Sequence, residues 1–266
     1  MSLTKEQIIL IEDIIKDTLI KKLYNYKPET NHMPFHYRLL GRDRMALYSF
    51  IHSLNTAFGN SIFEPIAVSI ASFHFLKVEK QYSAGDYISE EAQRVIQDIM
   101  NELSISKVPN KHEEIEKIRS VCNTGLPKKI KVVKVDLFLE DDQGCVYLFD
   151  LKTAKPNISN FKDFKRTLLE WVAIFLHKKP DTKINSYLAI PYNPYEPQPY
   201  QRWTMRGMLD IDNEVKVAEE FWNFLGKEKG TYEILLDCFE KAGIELRPII
   251  DDYFNNFRIG SEKEKK

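Results

Sequence analysis

Three charged residues interrupt two apolar stretches that lie close together in the sequence. Asp136 stands within "KVDLFLE" (134–140), and Asp150 and Lys152 stand within "YLFDLKT" (147–153). Carboxylates are oxygen ligands of the kind that Mg²⁺ takes, together with waters and substrate phosphate oxygens. A lysine beside them can stabilise negative charge or position a water. The chemistry that these residues suggest is metal-assisted hydrolysis of a phosphodiester.

A β-hairpin would bring the three residues together. The segment "DQG" (142–144) is typical of a three-residue hairpin loop, with Gly144 where a positive φ is needed. This turn sets Asp136 opposite Asp150. Because side chains alternate along a strand, both aspartates and Lys152 share one face, and the other face is predicted to be the core face. Like charges in opposite positions destabilise a strand pair unless one carboxyl takes up a proton or a cation lies between them.

A further carboxylate, Glu64, falls in the apolar segment "SIFEPIAVSIASFHFLKV" (61–78), which predicts a buried helix. Pro65 fits the first turn of that helix. A buried carboxylate must be paired, protonated or bound to a metal, and at a helix start the helix dipole also stabilises it. Glu64 is therefore either a helix cap or salt-bridge partner, or a third metal ligand.

The same residues also fit an ordinary hairpin whose charged side faces water. An Asp followed at a distance by Asp-x-Lys arises easily by chance, because 29% of the residues are charged. The segment "PDTK" (180–183) is such a decoy, and it falls in a loop before a predicted strand. Position on one face of a hairpin, rather than the motif itself, favours the catalytic interpretation.

Basic residues flank the proposed site, where a DNA backbone would have to lie. The segment "YQRWTMRG" (200–207) adds arginines beside aromatic residues, and arginine can read guanine in the major groove. Such charges are also common on solvated surfaces, so both explanations stay open. The predicted DNA-binding residues are Lys134, Lys155, Lys165, Arg166, Arg202 and Arg206.

Composition and patterning indicate a folded α/β protein. The chain has 266 residues, 43% of them hydrophobic, and a net charge of -1, which neither demands nor excludes a polyanionic partner. Three scattered cysteines suit a reducing compartment and form no CxxC pair. No run approaches the roughly 18 apolar residues of a membrane span, and the amphipathic start is not typical of a secretory signal. We expect an intracellular protein.

Hydrophobic periodicity divides the chain into a helix-rich first half and a second half in which strands alternate with helices. No repeat or long linker appears, so we predict one domain over 1–266, with a disordered tail at 260–266. Helices are predicted over 4–25, 43–58, 61–78, 87–104, 111–121, 157–178 and much of 213–258. Strands are predicted over 130–140, 145–152 and 184–192, and irregular segments over 27–41 and 193–203.

The hairpin resembles the PD-(D/E)xK nuclease superfamily, with Val135 in place of the proline of that motif. The chain further resembles type II restriction endonucleases of the TdeIII-like group, and the order of the matching stretches carries this resemblance. Besides the hairpin they are "MPFHYRLLG" (33–41), "GNSIFEPIA" (59–67), "YNPYEPQPYQRW" (192–203) and "EFWNFLGKEKGTYEILLDCF" (220–239).

The resemblance implies a restriction-endonuclease-like core, in which helices flank a mixed sheet. It implies Mg²⁺-dependent cleavage of double-stranded DNA at a short palindromic site of the GGNCC kind, by a homodimer whose cognate methyltransferase protects the same site. Asp136, Asp150 and Glu64 would then be metal ligands, and Lys152 the catalytic lysine. The alternatives are a structure-specific or repair nuclease of the same superfamily, and a non-catalytic DNA-binding protein.

Overall fold

The computed structural model describes residues 3–28, 33–152, 156, 160–201 and 205–263, with side chains up to residue 255. These residues divide into two units. One is built from residues 3–69 and the chain from Thr231 onward, and the other from residues 70–230. One endonuclease domain over 1–266 stays a prediction.

The first unit is helical. It contains α1 (Lys5–Asn25), α2 (Pro34–Leu40), α3 (Arg42–Ala57), a π-helical turn (Phe58–Phe63), most of α4 (Glu64–Ala71) and, at the far end of the chain, α10 (Thr231–Lys263). Thr4 is the N-cap of α1, because its hydroxyl accepts a hydrogen bond from the Gln7 N–H. Helix α1 packs against α10, where Lys241 Nζ lies 2.8 Å from Glu12.

The second unit contains the strands. They are β1 (Lys77–Tyr82), β2 (Tyr87–Ser89), β3 (Pro127–Lys129), β4 (Val135–Glu140), β5 (Val146–Leu151), β6 (Ile184–Ile190) and β7 (Val215–Val217). Its helices are α5 (Glu90–Ser104), α6 (Lys111–Val121), α7 (Phe161–Lys178), α8 (Ile211–Glu214) and α9 (Glu219–Leu225). In the described part of the chain, no helix is long and apolar enough to cross a membrane.

Five strands form one mixed sheet in the order β1-β4-β5-β6-β7. Strands β1 and β5 run antiparallel to β4, whereas β6 runs parallel to β5 and β7 parallel to β6. Helix α7 supplies the crossover that the parallel pair β5–β6 requires. The predicted architecture, a mixed sheet flanked by helices, is confirmed.

The hairpin has the predicted register. Leu137 pairs with Phe149, and Glu140 pairs with Val146. Continuing this register by one position sets residue 136 opposite residue 150. Gly144 has φ +73°, which is the conformation that the loop was predicted to need. Local turn chemistry therefore determines which side chains of the hairpin meet.

Both faces of the sheet are covered, so the prediction of a single core face is wrong. On the face that carries Asp136, Phe138 stacks on Phe175 of α7, with ring centroids 5.9 Å apart. On the opposite face, Phe149 packs against Phe221 of α9 at 5.5 Å. The reason is the crossover: α7 returns over the sheet and buries the face that alternation alone leaves to solvent.

Several element boundaries also differ from the prediction. The segment 61–78 is not one helix, since α4 ends at Ala71 and β1 begins at Lys77. The predicted loop 27–41 contains α2, and strand β4 begins at Val135 rather than at residue 130. Helix α10 extends to Lys263 and residues 264–266 lie outside the described residues, so the disordered tail stays a prediction. The missed strands β2, β3 and β7 are each three residues long, too short for a pattern to emerge.

Candidate active site

The two aspartates lie side by side at the end of the hairpin. Asp150 is only 3% exposed, and Asp136 is half-buried. The Asp136 Oδ2 atom accepts a hydrogen bond of 2.8 Å from the backbone N–H of Leu151, which is the neighbour of Asp150 on β5. This contact holds the Asp136 carboxylate across the strand pair.

Burial and the neighbouring Asp136 both disfavour the ionised form of the Asp150 carboxyl. Burial, the largest cause, raises the pKa of Asp150 to about 7, and the nearby Asp136 raises it further, although Lys152 acts in the opposite direction. The raised pKa favours a bound proton on this carboxyl. A cation placed between the two carboxylates would replace that proton.

Lys152 follows directly after β5 and reaches back to the aspartates. Its Nζ lies 2.5 Å from Asp150 Oδ1, and its side chain is 27% exposed. The backbone N–H of Lys152 donates to the Ala189 carbonyl on β6, so the parallel neighbour strand fixes the lysine backbone. The ammonium group also lies 5.1 Å from the centre of the Phe164 ring on α7. The arrangement holds two carboxylates and one amine together, as the register predicts.

The donor set fits a hard divalent cation. Two adjacent carboxylates suffice for Mg²⁺, which keeps several waters and takes further oxygens from a phosphate. Within the described residues, no group of three or more His, Cys, Asp or Glu side chains is placed to hold a metal. Asp136 and Asp150 are the two carboxylates that the hairpin brings together.

Gln81 is a site residue that sequence reasoning missed. Its Nε2 atom donates a hydrogen bond of 3.1 Å to Asp136 Oδ1. Its backbone has φ +52°, a conformation that costs about 1–2 kcal/mol for a residue with a Cβ atom. Only the first two residues of β1 fell in the predicted helix 61–78 and Gln81 was assigned to no element, so nothing in the sequence pattern placed this residue opposite Asp136. Strained backbone of this kind is frequent at functional sites.

Glu64 is the first residue of α4 and is buried, with Pro65 in the first helical turn as predicted. It belongs to the first unit, whereas Asp136, Asp150 and Lys152 belong to the second. Its predicted role as a metal ligand stays a prediction.

The predicted DNA-binding residues fall into different environments. Lys134 is exposed immediately before β4, and Arg206 is also exposed. Arg166 on α7 is half-buried and donates a hydrogen bond of 2.8 Å to Gln97. Lys155 and Arg202 lie outside the described residues. For these five residues, contact with DNA stays a prediction.

Lys165 requires a correction, because its side chain is fully buried. Its Nζ contacts Glu114 of α6 and lies 2.7 Å from both carboxylate oxygens of Glu214 in α8. An ammonium group enclosed by two carboxylates has no access to a phosphate. The basic pattern at the start of α7 does not reveal this, because a helix places successive residues on different sides.

The ion pairs of Lys165 belong to a larger buried network. Burial raises the pKa of Glu114, and burial lowers the pKa of Lys111 to about 7. Lys111 Nζ donates to the Asn213 carbonyl at 2.8 Å and lies 3.6 Å from the centre of the Tyr187 ring on β6. The network joins α6, α7, α8 and β6, and thereby fixes the first turns of α7 beside the candidate site.

Known proteins similar to this chain include several type II restriction enzymes. Residues 3–243 match the model of a family described as type II restriction endonuclease, HinfI. The type II restriction enzyme HgiCII from Herpetosiphon aurantiacus is 27% identical over 216 residues, which cover 79% of this chain and 77% of HgiCII. HgiEI from the same organism is 26% identical over the same shares. MjaII from Methanocaldococcus jannaschii is 28% identical over 227 residues, covering 80% of this chain and 59% of MjaII.

The TdeIII-like subgroup stays a prediction. The family match extends over nearly the whole chain and includes the hairpin, the strand β6 and the helices around them. The chain belongs to the HinfI family of type II restriction endonucleases, which are site-specific nucleases.

Proposed function

We propose that this restriction endonuclease hydrolyses both DNA strands at a short palindromic site with Mg²⁺, and that Asp136, Asp150 and Lys152 form its catalytic site. The observation that carries the proposal is the buried Asp150 beside the half-buried Asp136 on the neighbouring strand, with an amine 2.5 Å from Asp150. Asp136 and Asp150 would hold the metal. Bound there, Mg²⁺ would supply Lewis-acid polarisation of the phosphate and a lower pKa for a bound water.

Each of the three side chains has a distinct task in this proposal. Gln81 and the Leu151 N–H orient the Asp136 carboxylate, since they donate to its two oxygens. Asp150 gives up its proton when it becomes a ligand, because a ligating carboxylate must be ionised. The Lys152 ammonium group stabilises the negative charge that grows on the phosphate. Its partial exposure allows a phosphate to approach it.

The proposal also includes the contacts with DNA, the recognition site and the oligomeric state. Lys134, Arg166 and Arg206, with Lys155 and Arg202, would contact the DNA backbone or bases. A palindromic site presents two equivalent strands, so a homodimer would bring one active site to each strand. Sites of the GGNCC kind are the first to test. A cognate methyltransferase would protect the same site in the host, without having to bind this protein.

Digestion of plasmid DNA tests the activity. Purified protein is incubated with plasmid and either Mg²⁺ or EDTA, and the ends of the products are sequenced. We expect discrete fragments in Mg²⁺, one recurrent palindrome at their ends, and intact plasmid in EDTA. Cutting confined to junctions or damaged DNA would instead indicate a structure-specific nuclease. Binding without cutting would indicate a DNA-binding protein.

Matched substitutions test the assigned residues. Asp150→Asn and Lys152→Ala are expected to lower kcat by about 100-fold or more, because each removes a group that acts on developing charge. The decoy "PDTK" supplies the controls, since Asp181 and Lys183 are exposed and have the same chemistry. Asp181→Asn and Lys183→Ala should cut like the wild type. Wild-type cleavage by either Asp150→Asn or Lys152→Ala would refute the assignment of that residue.

A further inference from the structure

One aromatic ring contacts the amine of the candidate site. Lys152 Nζ lies 5.1 Å from the centre of the Phe164 ring, within the distance at which a ring face attracts a cation. Phe164 is half-buried, so its ring is partly shielded from water. No sequence motif singles out this residue. It lies on α7, on the side of the sheet that also carries the two aspartates.

Two neighbours of Phe164 on α7 are buried. The next residue, Lys165, is fully buried and paired with Glu114 and Glu214. Phe161 is also buried, and its ring centroid lies 6.2 Å from that of Phe164. The first turn of α7 is therefore anchored on both sides of Phe164. The ring presents a fixed surface to a lysine whose own four-carbon side chain is flexible.

The Phe164 ring attracts the Lys152 ammonium group without carrying a charge of its own. Asp150 also contacts the Lys152 amine, but Asp150 is the residue that would share its charge with a metal. The ring of Phe164 neither takes a proton nor ligates a hard cation, so its attraction for the ammonium group does not depend on the state of the aspartates. It also leaves the amine hydrogens available to a phosphate.

We propose that Phe164 is a positioning residue for Lys152, holding the ammonium group over its ring face beside the aspartates. This inference rests on the proposed function, because it assumes that Lys152 takes part in cleavage. The attraction of a partly shielded ring for a cation corresponds to a factor of about 2 to 30 in rate. Phe164 itself touches neither the metal nor the DNA in this proposal, so the effect is expected in kcat and not in KM.

Nuclear magnetic resonance measures the contact without activity. Protein with ¹³Cε-labelled lysine is recorded free of DNA, and the Lys152 signal is assigned by its disappearance in Lys152→Ala. We expect an upfield ring-current shift for Lys152 that Phe164→Leu abolishes and Phe164→Tyr retains. Phe175→Leu is the control, because Phe175 is a half-buried ring further along α7 that stacks on Phe138. It should leave the Lys152 signal in place.

Cleavage kinetics measure the consequence. Phe164→Leu should lower kcat between about 2- and 30-fold with KM unchanged, and Phe164→Tyr should restore kcat. A Lys152 signal that does not respond to Phe164→Leu, an unchanged kcat, or a change confined to KM would overturn the inference. Lys152→Ala separates the two proposals. If it cuts at the wild-type rate, the assigned site itself fails; if it is inactive while Phe164→Leu is fully active, only the positioning role fails.

Discussion

The substitution Lys165→Met tests whether Lys165 is a buried ion-pair partner or a DNA-binding residue. The structure supports the first role, and the basic start of α7 had suggested the second. Methionine retains much of the apolar side chain but removes the ammonium group that lies between Glu114 and Glu214. Both carboxylates are buried and would then lose the cation that they share, although each keeps one hydrogen bond from a backbone N–H. Removing one member of a buried ion pair typically costs about 3–5 kcal/mol. That is a large share of the roughly 5–15 kcal/mol by which folded proteins are stable.

The measurement is urea denaturation of Lys165→Met beside the wild type. We expect a loss of about 3–5 kcal/mol in the free energy of unfolding. Lys162→Met is the matched control, since Lys162 is an exposed lysine on the same helix, and it should change stability by less than about 0.5 kcal/mol. Adding Glu114→Gln and Glu214→Gln to Lys165→Met should recover much of the loss, because no unpaired charge then remains.

The pH dependence gives a second measurement. Burial raises the pKa of Glu114 above its unfolded value, so its proton is bound more tightly in the folded state. A group of this kind stabilises the fold below its unfolded pKa, and that contribution is lost as the pH rises through the folded pKa. Without Lys165 this carboxyl loses its counter-charge, so the loss of stability should be greater at about pH 8 than at about pH 5.

One outcome would contradict the buried role of Lys165. If Lys165→Met folds with wild-type stability but binds DNA more weakly and with a smaller salt dependence, Lys165 contacts a phosphate. The reasoning from burial would then be refuted, and the basic start of α7 would be a DNA-binding surface throughout.

Two further predictions concern the hairpin. Titration of the metal-free protein with Mg²⁺ should show binding about tenfold weaker at pH 6 than at pH 8, because the pKa of Asp150 is about 7 and the carboxyl must ionise to ligate; a pH-independent affinity would contradict this. Gly144→Ala should lower the free energy of unfolding by about 1–2 kcal/mol, measured by thermal melting, because φ is +73° there. Nothing lies within 4 Å of the added methyl group, so an unchanged melting temperature would mean that the loop takes another conformation.

The hairpin shows how much local sequence can predict. A three-residue turn with Gly144 sets the register, and alternation then places Asp136 and Asp150 on one face. Lys152 joins them for the same reason, since it lies two residues beyond Asp150. These relations depend on backbone geometry over about twenty residues, which is why they can be worked out without the rest of the molecule.

Other features of the site depend on segments that are distant in sequence. Gln81 meets Asp136 only because β1 pairs with β4 across 55 residues, and the segment before β1 is so apolar that it predicted a longer helix. Phe164 meets Lys152 only because α7 packs back onto the sheet. Neither residue belongs to a recognisable motif.

The sequence by itself therefore determined the hairpin, its register, the carboxylate pair with its lysine, and the α/β class. Only the tertiary structure decided which charges are buried and which are exposed. Lys165 and Lys134 are both lysines in basic stretches, yet one is enclosed by Glu114 and Glu214 and the other faces solvent. The physical reason is that burial, and with it the pKa of Asp150, depends on which helices cover the sheet, and that is set by packing between elements rather than by local pattern.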